Sequence, residues 1–202
     1  MKTHLVTVGQ VLLLFAINIS RRQMYFLWNS AISKDDCERI IDTYKNKNLA
    51  EAKIAIDKVG TVKDSIRITK VAWIDNKLIT MAMWGFLDEG NKNYFKYDIA
   101  KMEKIQFAEY TKGSFYSWHT DDSEPESADR SIRKLTALVL LSSTDDFKGG
   151  DVEFSNPIGD NKMNLKQGSV ILFNSSEWHR VCEITDGVRY TLVSWFRGPK
   201  FR

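Results

Sequence analysis

The chain reads as an α+β protein in which a helical lead-in precedes a β-rich half that closes into a jelly-roll barrel. Three observations predict this. Apolar residues recur at helical spacing in two stretches of the first half. From Ile105 onward, short runs rich in Val, Ile, Leu and Phe follow one another to the end. Turn signals separate the runs: Lys112-Gly113, residues 145–150, Asn156-Pro157, Gln167-Gly168 and Asp186-Gly187. Helices set apart from six or seven short strands favour α+β with a double-sheet barrel.

The elements follow in order. Met24-Tyr25-Phe26-Leu27-Trp28 has the aromatic content of a first strand. Ser33 precedes Lys34-Asp35-Asp36, an N-cap with an acidic residue three positions on, and Ile40, Ile41 and Tyr44 give that helix its inward stripe. Residues 47–56 read as a second, weaker helix. Residues 65–74 are rich in Ile and Val and read as a strand. Residues 78–87 place Leu78, Met81, Ala82 and Phe86 near helical spacing. The expected strands of the second half are 105–110, 115–120, 135–141, 151–154, 169–173, 179–183 and 188–196.

Composition limits the function. A length of 202 residues suits one domain with one core. An apolar share of 43% and a charged share of 27% exclude a wholly disordered chain. The net charge of +3 is too slight to point to nucleic acid, which would show clustered basic stripes. Cys37 and Cys182 are too few for a disulfide framework and sit in no CxxC, so both read as apolar thiols in a reducing, cytoplasmic setting. Residues 6–19 form an apolar run, with Lys2 before it and Arg21-Arg22 after. The run is too short for a membrane span. Residues 1–23 are read as an extension outside the chemistry, with a signal or anchor as the alternative. Residues 24–202 then form a single domain, with lead-in 24–104 and jelly-roll core 105–202.

Two of the three histidines fall in the β-rich half. His119-Thr120-Asp121 is an HxD, and alternate residues of a strand point to one face. His179 lies 58 residues beyond Asp121. Two imidazoles and one carboxylate make the facial triad that leaves positions of a ferrous ion open. An HxD alone is weak, and a hydrogen-bonded His–Asp pair or a zinc site with Glu177 as base stays open. Arg189 sits ten residues after His179, with Thr191 on its face. A bound carboxylate would satisfy such a cation; a salt bridge to Asp186 or Glu183 is the alternative. Trp195 shares the Arg189 face and either walls a pocket or fills core, and Trp118 reads as core. The polar stretch 122–130 stands where a lid would stand, with equal weight on a solvated loop.

The ordered set carries a family resemblance. Tyr110-xx-Gly113-xx-Tyr116-xx-His119-x-Asp121 is followed by Arg133-Lys134-Leu135-Thr136 and its apolar continuation, then by Gly149-Gly150-x-Val152-x-Phe154. Gly168-Ser169-x-Ile171-x-Phe173, His179 and Arg189-x-Thr191 complete it. The set resembles the prolyl 4-hydroxylase group of 2-oxoglutarate and Fe(II)-dependent dioxygenases, over about residues 106–195. The resemblance implies a double-stranded β-helix (a cupin-like jelly roll) with an N-terminal helical layer. It assigns His119, Asp121 and His179 to iron as the catalytic set. It assigns Arg189 to the distal carboxylate of 2-oxoglutarate with Thr191 as helper, and places Tyr110 beside the co-substrate. It implies hydroxylation of an unactivated C–H, most simply a peptidyl proline, with O2 consumed, succinate and CO2 released and ascorbate as reductant. A peptide or protein is then the expected partner and nucleic acid is not. A silent binding module, or action on a free amino acid or other small molecule, remains the alternative.

Overall fold

A computed structural model describes residues 25–47, 49–52, 67–123, 128–155 and 162–201. The lead-in holds β1 (Tyr25–Trp28), α1 (Lys34–Tyr44), β2 (Ala50–Ala52), β3 (Arg67–Ile74) and α2 (Lys77–Gly90), with one π-helical turn over Asn91–Phe95. Then come β4 (Lys101–Met102), β5 (Ile105–Thr111), β6 (Phe115–His119), a 3-10 turn (Asp121–Ser123) and β7 (Ile132–Leu140). The chain closes with β8 (Phe147–Gly149), β9 (Val152–Phe154), β10 (Lys162–Met163), β11 (Val170–Asn174), β12 (His179–Val181) and β13 (Ile184–Gly198).

Two antiparallel layers face each other. The larger runs β1-β11-β7-β13-β5-β3, and the smaller runs β6-β12-β9-β10. One strand, β3, joins them, and β13 carries β8 outside both runs. β3 pairs with β5 over Lys70–Ile74 and with β6 at Arg67 and Ile68. β13 pairs with β8 near its start and with β5 and β7 beyond. This is the double-stranded β-helix that the sequence predicts.

β7 reads as a near-continuous apolar run because it is covered on both faces. Leu135, Ala137 and Val139 pack outward with Met83, Phe86 and Leu87 of α2. Leu138 and Leu140 point inward and pack with Ile171, Phe173, Val152 and Phe154. Each such side chain contributes about 1.5–3 kcal/mol by leaving water. Helices therefore cover the outside of the large layer, and its inside lines the barrel. Ser33 caps α1 by accepting from the Asp36 amide, as expected. Asn76 caps α2 at two amides, so that helix starts before Leu78 and runs on to Gly90.

Several expectations are corrected. The helix expected over 47–56 is not formed where described: Ala50–Ala52 is strand β2, paired with Thr69–Val71 of β3. Residues 53–56 lie outside the described residues. The open edge of β3 offers hydrogen bonds that outweigh the small helix preference of Ala-Glu-Ala. Asp186-Gly187 is not a turn between strands. It lies within β13, where Gly187 takes φ +74 and the register with β8 shifts. The stretch between the HxD at His119–Asp121 and β7 is shorter than expected, because Ile132, Arg133 and Lys134 are already strand. Residues 124–127, the middle of the stretch 122–130 that stands where a lid would stand, lie outside the described residues. Trp118 is not core: it is 36% exposed, with the Arg180 guanidinium over its ring.

Candidate metal and co-substrate site

β6 and β12 run side by side with His119 opposite His179. Their imidazoles face across a 4.1 Å centroid separation. Asp121 reaches the same point by a different route from the one expected. The strand ends at His119, so strand alternation does not place the carboxylate. The Asp121 and Asp122 amides both donate to the Ser175 carbonyl, at 2.8 and 3.1 Å, and this pins the 3-10 turn beneath the histidines. His119 Nε2 then lies 3.6 Å from Asp121 Oδ1, and His179 Nε2 lies 3.7 Å from Asp121 Oδ2. Ligand atoms of all three residues fall within 4.8 Å of one another. Donors at right angles around an ion with ~2.1 Å bonds sit about 3 Å apart, so the set fits a single ion.

Backbone carbonyls set both tautomers. His119 Nδ1 donates to the Ser117 carbonyl at 2.8 Å, and His179 Nδ1 donates to the Glu177 carbonyl at 2.9 Å. With each Nδ1 so occupied, the Nε2 lone pairs face the Asp121 carboxylate, the arrangement a metal needs. Burial lowers the His179 pKa and keeps that ring neutral, against the pull of Asp121. Burial also opposes ionisation of Asp121. The imidazoles, when protonated, and the Thr136 hydroxyl outweigh it and hold the carboxyl well below its ordinary range.

The surrounding groups fix these donors in place. Thr136 Oγ1 donates to Asp121 Oδ2 at 2.7 Å and lies 3.0 Å from Ser175 Oγ. The Tyr116 ring stacks on His119 at 3.5 Å, and Phe154 and Phe173 wall His179. Sequence alone assigns no role to Thr136, Ser175 or Tyr116. Glu177 acts through its carbonyl. Its carboxylate reinforces the burial that raises the Tyr97 pKa, which places the acid near Tyr97.

Arg189 lies on the barrel-facing side of β13, opposite Tyr110 of β5, whose ring is 5.4 Å from the guanidinium. It is 1% exposed, and neither Nη1 nor Nη2 has a hydrogen-bond partner. Neither Asp186 nor Glu183 pairs with it. Burial lowers its pKa, with Tyr110 and Asp151 opposing. Thr191 is buried two residues on, on the same face. A cavity of about 510 Å³ opens onto Arg189, lined also by Leu140, Thr144, Gly150, Asp151 and Lys162. Gly150 takes φ +66, and a Cβ there would come 2.9 Å from Arg189 Cδ, so the arginine stem fits only against glycine. Unsatisfied buried guanidinium nitrogens beside a cavity are the chemistry of a carboxylate site.

Trp195 ends the same strand face. It is buried under the Arg133 guanidinium, 4.2 Å from its ring, and 6.0 Å from the ring of Trp73, which is 53% exposed. Arg67 reaches the same layer, with its guanidinium 4.8 Å from the Tyr116 ring, one bond to Gln106 Oε1 and Nε unpartnered. Cys37 is buried in the helical core, where burial pushes its thiol up to about 12.

Residues 105–197 match the family model described as the 2OG-Fe(II) oxygenase superfamily. A PKHD-type hydroxylase of Parvibaculum lavamentivorans is 34% identical over 94 residues, 46% of this chain and 42% of that protein. One from Synechococcus is 33% identical over 87 residues, 43% of this chain and 39% of that protein. The match thus spans about two fifths of the length of these relatives. In fold, the chain is similar to a Pseudomonas putida prolyl-4-hydroxylase, with TM-score 0.65 and 18% identity over 88% of this chain and 94% of that one. It is also similar to a prolyl hydroxylase from Trichoplax adhaerens in complex with a hypoxia inducible factor peptide fragment, with TM-score 0.67 and 19% identity over 86% and 83% of the two chains. A viral collagen prolyl hydroxylase from Paramecium bursaria Chlorella virus-1, in complex with 2OG, gives TM-score 0.63 and 20% identity over 87% and 97%.

Proposed function

We propose, on the premise that residues 105–197 form a 2OG-Fe(II) oxygenase core, that this protein is an Fe(II)- and 2-oxoglutarate-dependent dioxygenase that hydroxylates an unactivated C–H of a peptidyl proline. The observation that carries this reading is the pairing of two features in one barrel. His119, Asp121 and His179 converge on one point, and Arg189, whose two terminal nitrogens are buried without a partner, lines a cavity of the same barrel.

Each residue then has a role. His119 Nε2, His179 Nε2 and one Asp121 oxygen would hold ferrous iron. Arg189, helped by the Thr191 hydroxyl, would grip the distal carboxylate of 2-oxoglutarate, and the Tyr110 ring supports the guanidinium from below. When bound, iron and 2-oxoglutarate supply, with O2, the oxidising power to insert one oxygen atom into a C–H bond, releasing succinate and CO2. Ascorbate as a reductant belongs to the same reading. Thr136 holds the Asp121 carboxylate by donating to Oδ2, and the two backbone carbonyls keep the imidazole protons on Nδ1. The apolar walls Phe154 and Phe173 exclude water from His179.

A peptide could dock at the exposed Trp73 ring, which leans on the buried Trp195 beneath Arg133. The relatives named as hydroxylases and the peptide-bound neighbour support this choice. Residues 24–202 are taken as the working unit, in a reducing compartment that suits two free thiols. No helix of the described residues is long and apolar enough to cross a membrane.

The test is succinate release from 2-oxoglutarate by protein supplied with ferrous iron and ascorbate, followed by a screen of proline-containing peptides for the mass gain of one oxygen atom. Slow release without peptide, near-complete loss in His179→Ala and oxidation at a prolyl residue are expected. Zinc binding with no consumption of 2-oxoglutarate would overturn the reading.

A further inference from the structure

The cavity at Arg189 contains a second charged pair that the metal chemistry does not use. Lys162 Nζ lies 2.8 Å from Asp151 Oδ2, and both residues line the cavity together with Arg189. Asp151 is the single carboxylate among the described lining residues. It follows Gly150 directly, the residue whose missing Cβ accommodates the Arg189 stem. A carboxylate so placed is the natural partner for a buried guanidinium, yet the two terminal nitrogens of Arg189 have no bond to it. Asp151 is bonded to Lys162 instead.

We propose that Lys162 is a positioning residue that holds Asp151 off Arg189, so that the guanidinium stays available to the carboxylate of an incoming diacid. The proposal rests on the reading of 2-oxoglutarate as the ligand of Arg189. An acid beside a cationic anion site has two ways to spoil it. It can pair with the arginine, or its field can repel the ligand. Lys162 removes both by neutralising the acid and fixing its direction. Asp151 already weighs on Arg189, since its charge offsets part of the desolvation that lowers the guanidinium pKa. With Lys162 gone, Asp151 becomes an internal competitor for the same two nitrogens.

The alternative mechanism is additive. Lys162 would simply attract the anion, and Asp151 would simply repel it, each independently of the other. A double-mutant cycle separates the two mechanisms. The readout is the dissociation constant of 2-oxoglutarate for the Mn(II)-loaded protein, measured by calorimetry, which needs no turnover. Lys162→Met is expected to weaken binding about tenfold. Asp151→Asn alone is expected to stay within about twofold of wild type, because Lys162 offsets most of the acid's charge and holds it away from the arginine. In the Lys162→Met background the same Asp151→Asn change is expected to restore most of the lost affinity. Lys162→Gln, which keeps a polar group on this exposed position, should behave as Lys162→Met does.

Three results would overturn the proposal. One is a Lys162→Met protein that binds within twofold of wild type. Another is a double variant as weak as Lys162→Met. The third is an Asp151→Asn gain of equal size in both backgrounds. If wild type itself shows no 2-oxoglutarate binding, the parent reading fails, and this one falls with it.

Discussion

β13 carries two buried arginines eight residues apart, Arg189 and Arg197, and their surroundings differ in one respect. Arg197 has a partner for each of its three nitrogens. It donates to Glu103 Oε1 at 2.7 Å, to the Ser131 carbonyl at 2.6 Å and to Ser131 Oγ at 3.2 Å. Glu103 also receives two bonds from Arg133. At the other end of the strand, Arg189 has no hydrogen-bonded partner for its terminal nitrogens. A buried charge left unpaired costs stability, and a paired one roughly breaks even. The comparison therefore sets a cation paired within the fold against one left unpaired, which on the proposed function waits for a ligand.

The largest expected effect sits at the paired end. Arg197→Met leaves the Glu103 carboxylate short of a partner and should destabilise the protein by about 3 kcal/mol, roughly 6–12 °C in Tm for a chain of this size. Its affinity for 2-oxoglutarate should stay near that of wild type. Arg189→Met should do the reverse, with Tm unchanged or slightly raised and 2-oxoglutarate binding weakened by two orders of magnitude or more. Equal Tm losses in the two variants, read by thermal melting, would erase the distinction.

A smaller effect is expected at the metal. Thr136 touches no ligand-binding atom of either histidine, but it donates to Asp121. Thr136→Val should weaken Mn(II) binding about tenfold, as loss of a hydrogen bond behind a metal ligand typically does. Thr136→Ser should recover most of that loss, which a purely packing role would not allow. Titration with a metal-sensitive fluorophore checks both.

The smallest expected effect is a pH dependence. The Glu103 pKa is lowered: burial opposes this, and the bonds and charges of Arg133 and Arg197 outweigh it. A carboxylate with a depressed folded-state pKa contributes stability above its unfolded value, near 4.3, and loses that contribution as pH falls through its folded value. Wild type should lose stability as the pH drops below about 4. Glu103→Gln should be less stable at pH 7 and show a shallower acid decline. Urea melts at pH 3, 5 and 7 would show whether the two curves converge.

Legibility followed the type of contact. The clustering of His119, Asp121 and His179 and the burial of Arg189 beside Tyr110 were open to a reading of the sequence because side-chain identity suggests them. Gly149-Gly150 could be read because a close backbone approach requires glycine. The fixing contacts were harder. The Ser117 and Glu177 carbonyls hold the imidazoles, and any residue supplies a carbonyl. The Asp121 turn depends on a carbonyl 54 positions away at Ser175, a tertiary contact with no local pattern. Thr136 did leave a signal. It is a lone hydroxyl within the run Leu135-Thr136-Ala137-Leu138-Val139-Leu140, and a buried hydroxyl needs a partner. The strand at Ala50–Ala52 was misread because pairing with β3, which local composition does not encode, decides its conformation.

On the proposed function, the triad and Arg189 serve one ternary complex. Anaerobic addition of ferrous iron and then 2-oxoglutarate, followed by visible spectroscopy, puts this to the test. Chelation of iron by a 2-oxo acid gives a charge-transfer band. Wild type should develop that band and saturate, His179→Ala should fail to form it, and Arg189→Met should need at least a hundredfold more 2-oxoglutarate. Absence of the band in wild type, or an unchanged midpoint in Arg189→Met, would contradict the account.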